Sequence, residues 1–215
     1  MQGGQPFKAL SDVNLSISSG QFYCVMGRSG SGKITLVNII AGLTIPTSGS
    51  VYLDGQDIFT LSDIELSLYR NSKIGCVPQG LSVLPNFAVI DNVRLPFYLS
   101  EHEGDSTKEA YKLLKLIGIE KLAGNMPKSL SGGQLKRVAI ARALINKPAF
   151  LLADEPTGDL DAETTGEILK IFRRVADEGT AVLMITHEPD SMEYVDRQFI
   201  MSSGVLAEKS LSPGI

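Results

Sequence analysis

Apolar and polar residues alternate along residues 13–18, which is the period-two pattern of a half-buried strand. After a turn at residues 19–20, residues 21–26 form a continuous apolar run that predicts a buried strand. A loop of glycine and serine follows, and residues 33–41 have the character of a helix that Gly42 can end. The start of the chain is therefore predicted to run strand, loop and helix.

Strand and helix signals alternate again later in the chain. Further strands are predicted at residues 51–53, 73–77, 150–153, 181–185 and 198–201, with helices at 62–70, 162–177 and shortly after 185. From about residue 87 to 146 the strand signals disappear, and apolar residues recur at helical spacing. This alternation favours an α/β fold with a mostly parallel sheet, crossover helices and a helical lobe.

The composition is that of a globular protein. Of 215 residues, 43% are apolar, which is enough to build a sizeable core in one domain. The 20 basic and 24 acidic residues leave a net charge of −4, so no overall positive field would attract nucleic acid. Cys24 and Cys76 lie in apolar runs and are expected to be buried. Since no segment has the pattern of a signal peptide or a membrane span, we expect a cytosolic protein unless a partner tethers it to a membrane.

A phosphate-binding loop is predicted between the second strand and the first helix, the context that this motif requires. It consists of Gly27, Arg28, Ser29, Gly30, Ser31, Gly32 and Lys33. Glycines allow successive backbone N–H groups to surround phosphate oxygens, and the helix N-terminus adds about half a positive charge. The lysine supplies a full charge that can reach the β and γ phosphates of a nucleotide. A flexible glycine turn would explain neither the spacing nor the lysine.

One position departs from this motif. The residue after the lysine should be a serine or threonine whose hydroxyl binds Mg²⁺, and here it is Ile34, which has no such group. Thr35 follows, but one helical step rotates a side chain by about 100°, so its hydroxyl is expected to point toward another phosphate.

Two acidic residues, Asp154 and Glu155, end an apolar strand, at the sheet edge where α/β proteins bind ligands. We predict that Asp154 holds Mg²⁺ through water and that Glu155 polarises the water that attacks the γ-phosphate. Two exposed acids at a strand end are also common without such a role, and the phosphate loop favours the chemical interpretation.

A second candidate anion site precedes another predicted helix. It consists of Leu130, Ser131, Gly132, Gly133 and Gln134, which place a capping serine and two glycines at the helix N-terminus. Because one phosphate loop already serves the nucleotide of this chain, the second site is interpreted as serving the nucleotide of another subunit. Taken alone, the motif equally fits a plain helix cap with turn glycines.

In this order the motifs resemble those of the ATP-binding subunit of ATP-binding cassette (ABC) transporters, over nearly the whole chain. The resemblance pairs residues 27–35 with the Walker A loop, Gln79 with the Q-loop, residues 130–134 with the signature sequence, and residues 150–155 with Walker B and its catalytic glutamate. It also pairs residues 158–161, with Asp159 and Asp161, with the D-loop, and His187 with the switch histidine.

The resemblance implies a P-loop NTPase core with a mostly parallel sheet, a small antiparallel β portion and an inserted helical lobe. One domain would span residues 1–215, with the lobe at about 84–146 between core segments 1–83 and 147–215. ATP and Mg²⁺ are the implied ligands.

The family's site residues carry over onto matching positions. Residues 27–35 and Gln79 would bind ATP, and Gln79 would also reach the metal, with Asp154 acting through water. Glu155 and His187 would be catalytic.

The resemblance also implies a homodimer arranged head to tail around two ATP, with residues 130–134 at the partner's ATP. An integral membrane permease would be a second partner, and nucleic acid would not be one. Residues 82–86 and 91–96 are similar to the group that serves lipoprotein release, macrolide export, peptide-antibiotic resistance and cell division. The chain would lie at the cytoplasmic face of the membrane, where Leu84 and Phe87 would receive a permease helix or pack in the core.

One alternative function stays open, and a second is disfavoured by the length of the chain. Ile34 suggests a subunit that closes on ATP but hydrolyses it weakly. A soluble ABC ATPase of repair or translation usually needs two cassettes or a long coiled-coil insertion, for which 215 residues leave no room. The family's adenine-stacking aromatic has no counterpart at the expected offset, since Phe7 is the only aromatic nearby, and this suggests a truncated sequence.

Overall fold

The structure is a computed structural model that describes residues 8–80, 82–100, 103–188 and 193–209. Within these residues the strands are β1 (Phe22–Met26), β2 (Tyr52–Leu53), β3 (Gln56–Asp57), β4 (Ile74–Val77), β5 (Phe150–Asp154), β6 (Ala181–Thr186), β7 (Arg197–Ser202) and β8 (Val205–Lys209). The α-helices are α1 (Lys33–Ile40), α2 (Asp63–Lys73), α3 (Val89–Tyr98), α4 (Ser106–Leu116), α5 (Gly132–Leu144) and α6 (Ala162–Asp177). Short 3₁₀ turns lie at Ile58–Thr60, Glu120–Leu122 and Pro127–Ser129.

A six-stranded sheet has the order β4-β5-β6-β1-β7-β8. Its first five strands are parallel, and β8 pairs antiparallel with β7 at one edge. β2 and β3 form a separate antiparallel pair. Because parallel strands need crossover connections, helices cover the sheet and leave its central strands buried.

Alternate side chains of β1 pack into two apolar layers, one on each face of the sheet. Phe22 and Cys24 belong to the layer that contains α3, α4, α5 and α6, and the rings of Phe22 and Phe172 lie 6.1 Å apart. Tyr23 and Val25 belong to the layer that contains α1. The first four of the five residues of β1 are fully buried, which explains why the strand has a continuous apolar sequence.

Most predicted elements are present, with small shifts at their ends. The helix predicted at residues 162–177 has those bounds, and residues 21–26 contain β1. Helix α1 ends at Ile40, and Gly42 adopts a φ of 65° just beyond it, the left-handed conformation that ends many helices. Ser62 caps α2 through a reciprocal pair of hydrogen bonds with Glu65.

Several predicted details are wrong or incomplete. Residues 13–18 alternate between half-buried and exposed, but they lie outside the strands. β8 is mostly exposed at the sheet edge and β3 has two residues, so neither produces a pattern that predicts a strand. Cys24 is buried as predicted, whereas Cys76 is exposed on β4, the other edge strand. The short helix predicted after residue 185 falls largely on residues 189–192, outside the described residues.

Helices α3, α4 and α5 occupy the region predicted as a helical lobe. Helix α5 packs against α3, α4 and β4, so it connects these helices to the sheet. The division into a lobe at residues 84–146 and a core on either side stays a prediction. In the described ranges, no helix is both long and apolar enough to cross a membrane.

Candidate nucleotide-binding site

The phosphate loop closes around the ammonium group of Lys33. This lysine is the first residue of α1, and it is only 8% exposed. Its Nζ donates hydrogen bonds to the carbonyl oxygens of Gly27, at 2.5 Å, and of Arg28, at 3.0 Å. Gly32, directly before the helix, has a φ of 109°, and a Cβ there would lie 2.6 Å from the carbonyl oxygen of Ala9. Only glycine therefore allows the loop to turn into the helix here.

The loop offers polar groups that fit the phosphates of a nucleotide. Ser31 is buried, and its Oγ has no hydrogen-bond partner among the described residues. Arg28, Ser29 and Gly30 are exposed. The first N–H groups of α1 have no intrahelical acceptor, because a helix begins with unpaired donors. The arrangement suits an anion held by backbone N–H groups and the lysine.

The position for a metal ion is less complete. Asp154 and Gln79 provide carboxylate and amide oxygens, which are ligands that Mg²⁺ prefers. Ile34 stands where the third oxygen ligand is expected, and its side chain is 61% exposed. Among the described residues, no group of three or more His, Cys, Asp or Glu side chains is arranged to hold a metal. Two of the three expected oxygen ligands therefore fit Mg²⁺.

Strand β5 ends at Asp154, on the side of the sheet where the strands have their carboxyl ends and where β1 leads into the phosphate loop. Asp154 pairs in register with Ile185 of β6, and β6 pairs with β1, which leads into the loop. Burial raises the pKa of Asp154, and the charge of Glu155 adds to the rise. The positive charge of Lys33 acts in the opposite direction. Lys33 and Asp154 therefore interact electrostatically, although 120 residues separate them in sequence.

Glu155 lies at the centre of a hydrogen-bonded group. Its Oε2 accepts a hydrogen bond from Gln79 Nε2 at 3.2 Å, and its Oε1 lies 3.2 Å from His187 Nδ1. The backbone at Glu155 has a φ of 43°, and its N–H donates to the carbonyl of Ile185 at 2.8 Å. Such a conformation is uncommon for a non-glycine residue and is typical of functional sites. Three residues predicted from separate motifs thus meet at one carboxylate.

The signature residues form the cap of α5. The Ser131 hydroxyl accepts a hydrogen bond from the N–H of Gln134 at 3.3 Å, and Gln134 Oε1 accepts from the N–H of Ser131 at 2.9 Å. A Cβ on Gly133 would lie 2.5 Å from the methyl group of Thr164, so α6 approaches too closely for a side chain. In the described part of the chain, no hydrogen bond joins this cap to the phosphate loop.

The two D-loop aspartates have different surroundings. Asp161 caps α6 by accepting hydrogen bonds from the N–H of Thr164 at 2.9 Å and from its hydroxyl at 2.8 Å. These hydrogen bonds lower the pKa of Asp161. Asp159 is exposed and has a φ of 66°. Asp161 thus has a local role in starting a helix, which was not predicted from the sequence.

Two basic residues of α5 were missed by the sequence argument. Lys136 Nζ donates to the carbonyl of Gly80 at 3.2 Å, and Arg142 donates to the carbonyl and the hydroxyl of Ser82, both at 2.8 Å. The available signal was helical spacing, since Lys136 lies three residues after buried Gly133 and four before a buried isoleucine. A lysine on the buried stripe of a helix needs an explanation.

A family model described as ABC transporter matches residues 10–158, which is more than half of the chain. The chain belongs to the ABC transporter family. It is an ATP-binding ATPase of that family, and the predicted resemblance is confirmed. The macrolide export ATP-binding/permease protein MacB of Chlorobaculum tepidum is 41% identical over 96% of this chain. The lipoprotein-releasing system ATP-binding protein LolD of Bordetella avium is 40% identical over 95% of it.

These ABC relatives differ in length. The chain spans 32% of the MacB protein, about a third, and 90% of the LolD protein. Among solved structures, the dimeric ABC transporter cassette MJ0796 is 38% identical with a TM-score of 0.88, covering 99% of this chain and 95% of the cassette. A post-hydrolysis structure of that cassette, bound to ADP and Pi, also has a TM-score of 0.88. The predicted fold class of this ABC ATPase is therefore confirmed.

Proposed function

We propose that this chain binds two ATP molecules as a head-to-tail homodimer, hydrolyses them with Glu155, and so drives a conformational change in a membrane permease. The observation that carries this proposal is the convergence of Gln79 and His187 on the Glu155 carboxylate, at the sheet edge where Lys33 also acts on Asp154. A site that only bound nucleotide would not need a carboxylate aimed by two polar partners.

Glu155 is the proposed base for the attacking water. Its carboxylate is 21% exposed, so water can reach it, and its two oxygens are oriented by Gln79 and His187. A carboxylate held in this way can accept a proton from water as the γ-phosphate is attacked. His187 is 64% exposed at its side chain and can turn toward a phosphate oxygen. Lys33 and the loop amides hold the phosphates in place.

Mg²⁺ would be held by Gln79 directly and by Asp154 through water. When bound, it would neutralise negative charge on the β and γ phosphates. The negative charge of Glu155 beside Asp154, which contributes to the raised pKa of Asp154, would favour a divalent cation there.

The dimer is proposed from the position of the signature cap. Ser131 is exposed at the N-terminus of α5, which attracts anions, and among the described residues no hydrogen bond joins it to the phosphate loop of the same chain. In a twofold dimer, a contact between two different surfaces occurs twice, so one chain's phosphate loop facing its partner's cap creates two equivalent ATP sites. The dimeric structure of the similar cassette supports a dimer, and the arrangement of its two surfaces is part of the proposal.

A permease is the proposed membrane partner, at the cytoplasmic face of the membrane. Relatives named for macrolide export and lipoprotein release support this, and they favour transport over repair or translation. Leu84 and Phe87 are 37% and 46% exposed, so the apolar residues predicted to receive a permease helix are accessible. We propose that the permease, and not this chain, selects the substrate for export or extraction.

The alternative is an ATP-binding subunit with weak hydrolysis. Ile34 favours it, because the helix position next to Lys33 has no oxygen ligand for a metal. The two functions share the same binding site and differ in turnover.

The variant Glu155→Gln tests the proposed function. This substitution removes the proposed base and keeps the size and shape of the side chain. ATP should therefore still bind, while the rate of hydrolysis falls by about 100-fold or more. ATP should then hold the variant as a dimer during gel filtration, because the nucleotide is no longer consumed. The matched control is Glu178→Gln, an exposed carboxylate at the end of α6, which should behave as the wild type. A Glu155→Gln protein that stays monomeric at saturating ATP, or that keeps its turnover, would contradict the proposal.

A further inference from the structure

Helix α5 carries a lysine where a buried apolar residue would be expected. Lys136 is only 3% exposed and lies on the stripe of α5 that faces the interior. A charged group at such a position is costly unless hydrogen bonds and opposite charges compensate for the lost water. The neighbours of Lys136 therefore indicate what the lysine does.

The hydrogen bond of Lys136 reaches the Q-loop. Its Nζ donates to the carbonyl oxygen of Gly80 at 3.2 Å, and Gly80 directly follows Gln79, whose side chain contacts Glu155. The backbone on one side of Gln79 is therefore fixed by a side chain of α5. Farther along the chain, Arg142 of the same helix holds Ser82 through two hydrogen bonds of 2.8 Å.

The positive charge of Lys136 is stabilised by the negative charges of carboxylates of the candidate site. Burial lowers the pKa of Lys136, whereas Asp159, Asp154 and Glu155 all act to raise it. These residues belong to the D-loop and Walker B motifs. Together with the hydrogen bond to the Q-loop, the ammonium group thus interacts with residues of three motifs.

Helix α5 has a second role at its other end. It begins immediately after Ser131, the cap that faces the partner's ATP in the proposed dimer. Lys136 lies on the second turn of the helix, about 8 Å along the axis from the cap. One rigid element therefore connects the Q-loop at one nucleotide with the signature cap at the other.

We propose that Lys136 is a positioning residue: through the carbonyl of Gly80 it holds Gln79 against Glu155, and through α5 it couples this arrangement to the signature cap at the partner's ATP. The coupling rests on the proposed dimer, whereas the hold on Gln79 can be tested in the isolated chain. Lys136 itself touches neither ATP nor the attacking water.

The test uses Lys136→Met, which keeps the length and the apolar stem of the side chain and removes its charge and donor. We expect kcat for ATP to fall about tenfold while KM changes less than about twofold, because positioning affects the chemical step more than binding. In hydrogen exchange of the isolated chain, the peptide with Gln79 and Gly80 should exchange faster. The matched control is Lys170→Met, an exposed lysine of α6, which should change neither measurement.

A double variant separates positioning from general stability. If Lys136 acts through Gln79, then Gln79→Ala combined with Lys136→Met should be no slower than Gln79→Ala alone. The proposal would be overturned if the losses in kcat multiply in the double variant or if kcat is unchanged in Lys136→Met. Unchanged hydrogen exchange near Gly80 would overturn it as well. Should Lys136→Met fail to fold, Lys136→Gln takes its place with the same expected results. A wild-type chain without ATPase activity would contradict the proposed function, and hydrogen exchange would still decide whether Lys136 holds the Q-loop.

Discussion

Ile34 is the residue at which this chain departs most clearly from a complete phosphate-loop site. It directly follows Lys33, and its exposed side chain provides no metal ligand. The variant Ile34→Ser adds the missing hydroxyl. Turnover should rise by about 10- to 100-fold, which is the usual effect of losing a residue that supports a metal ligand. Half-maximal activity should also need a lower Mg²⁺ concentration. One ATPase titration against Mg²⁺ measures both.

The matched control at this position is Ile34→Val, which changes the size of the side chain without adding oxygen. It should leave both turnover and the Mg²⁺ requirement unchanged. An equal gain in the valine variant would mean that packing, and not coordination, limits the wild type. No gain in Ile34→Ser would mean that Thr35 or a water molecule already provides the ligand, and the weak-hydrolysis alternative would lose its basis.

At the scale of secondary-structure elements, the contact between α5 and α6 restricts the size of the residue at position 133 of the signature sequence. A Cβ on Gly133 would lie 2.5 Å from the methyl group of Thr164, whereas one on Gly132 would have its nearest contact at 3.8 Å. Gly133→Ala should therefore destabilise the chain by about 1–3 kcal/mol through overpacking, despite the better helix propensity of alanine. Thermal unfolding of the isolated chain measures this.

Two further variants define that contact. Gly132→Ala should be neutral or slightly stabilising, since alanine favours a helix and meets no clash there. Adding Thr164→Ser to Gly133→Ala should recover much of the lost stability, because it removes the methyl group that causes the clash. Equal unfolding temperatures for the two alanine variants would contradict the contact.

The elements with strong patterns could be predicted from the sequence. The largely buried strand β1 and the amphipathic helix α6 follow from their apolar positions, because each is decided by local periodicity and burial. β8 and the exposure of Cys76 could not be predicted, because both depend on which strands lie at the edges of the sheet. Edge order is a property of the folded sheet and leaves little trace in local sequence.

The candidate site also contains residues that could be predicted from local sequence and residues that could not. The phosphate loop and the Asp154–Glu155 pair follow from residue type and context. That Gln79 and His187 meet at Glu155 was implied only by the order of family motifs, since they are remote in sequence. Helical spacing places Lys136 on a buried stripe, but its partner is a backbone carbonyl 56 residues away, which no local pattern reveals.

At the scale of the whole molecule, the central claim is that one ATP site is built from two chains. Lys33→Met should disable the phosphate loop of its own chain, and Ser131→Arg should block the cap that faces the partner. Each variant alone should form dimers with two damaged sites. A mixed dimer, however, would contain one site with both defects and one with neither, because the two surfaces come from different chains.

The measurement is the ATPase rate of Lys33→Met and Ser131→Arg proteins, first separately and then mixed in equal amounts. We expect both to be inactive alone and the mixture to recover about a quarter of the wild-type rate, since half of the dimers are mixed and each has one intact site of two. The Ser131→Arg chain should also bind ATP as the wild type does. A mixture as inactive as its components would contradict the shared site, and so would a Ser131→Arg chain that loses ATP binding together with hydrolysis.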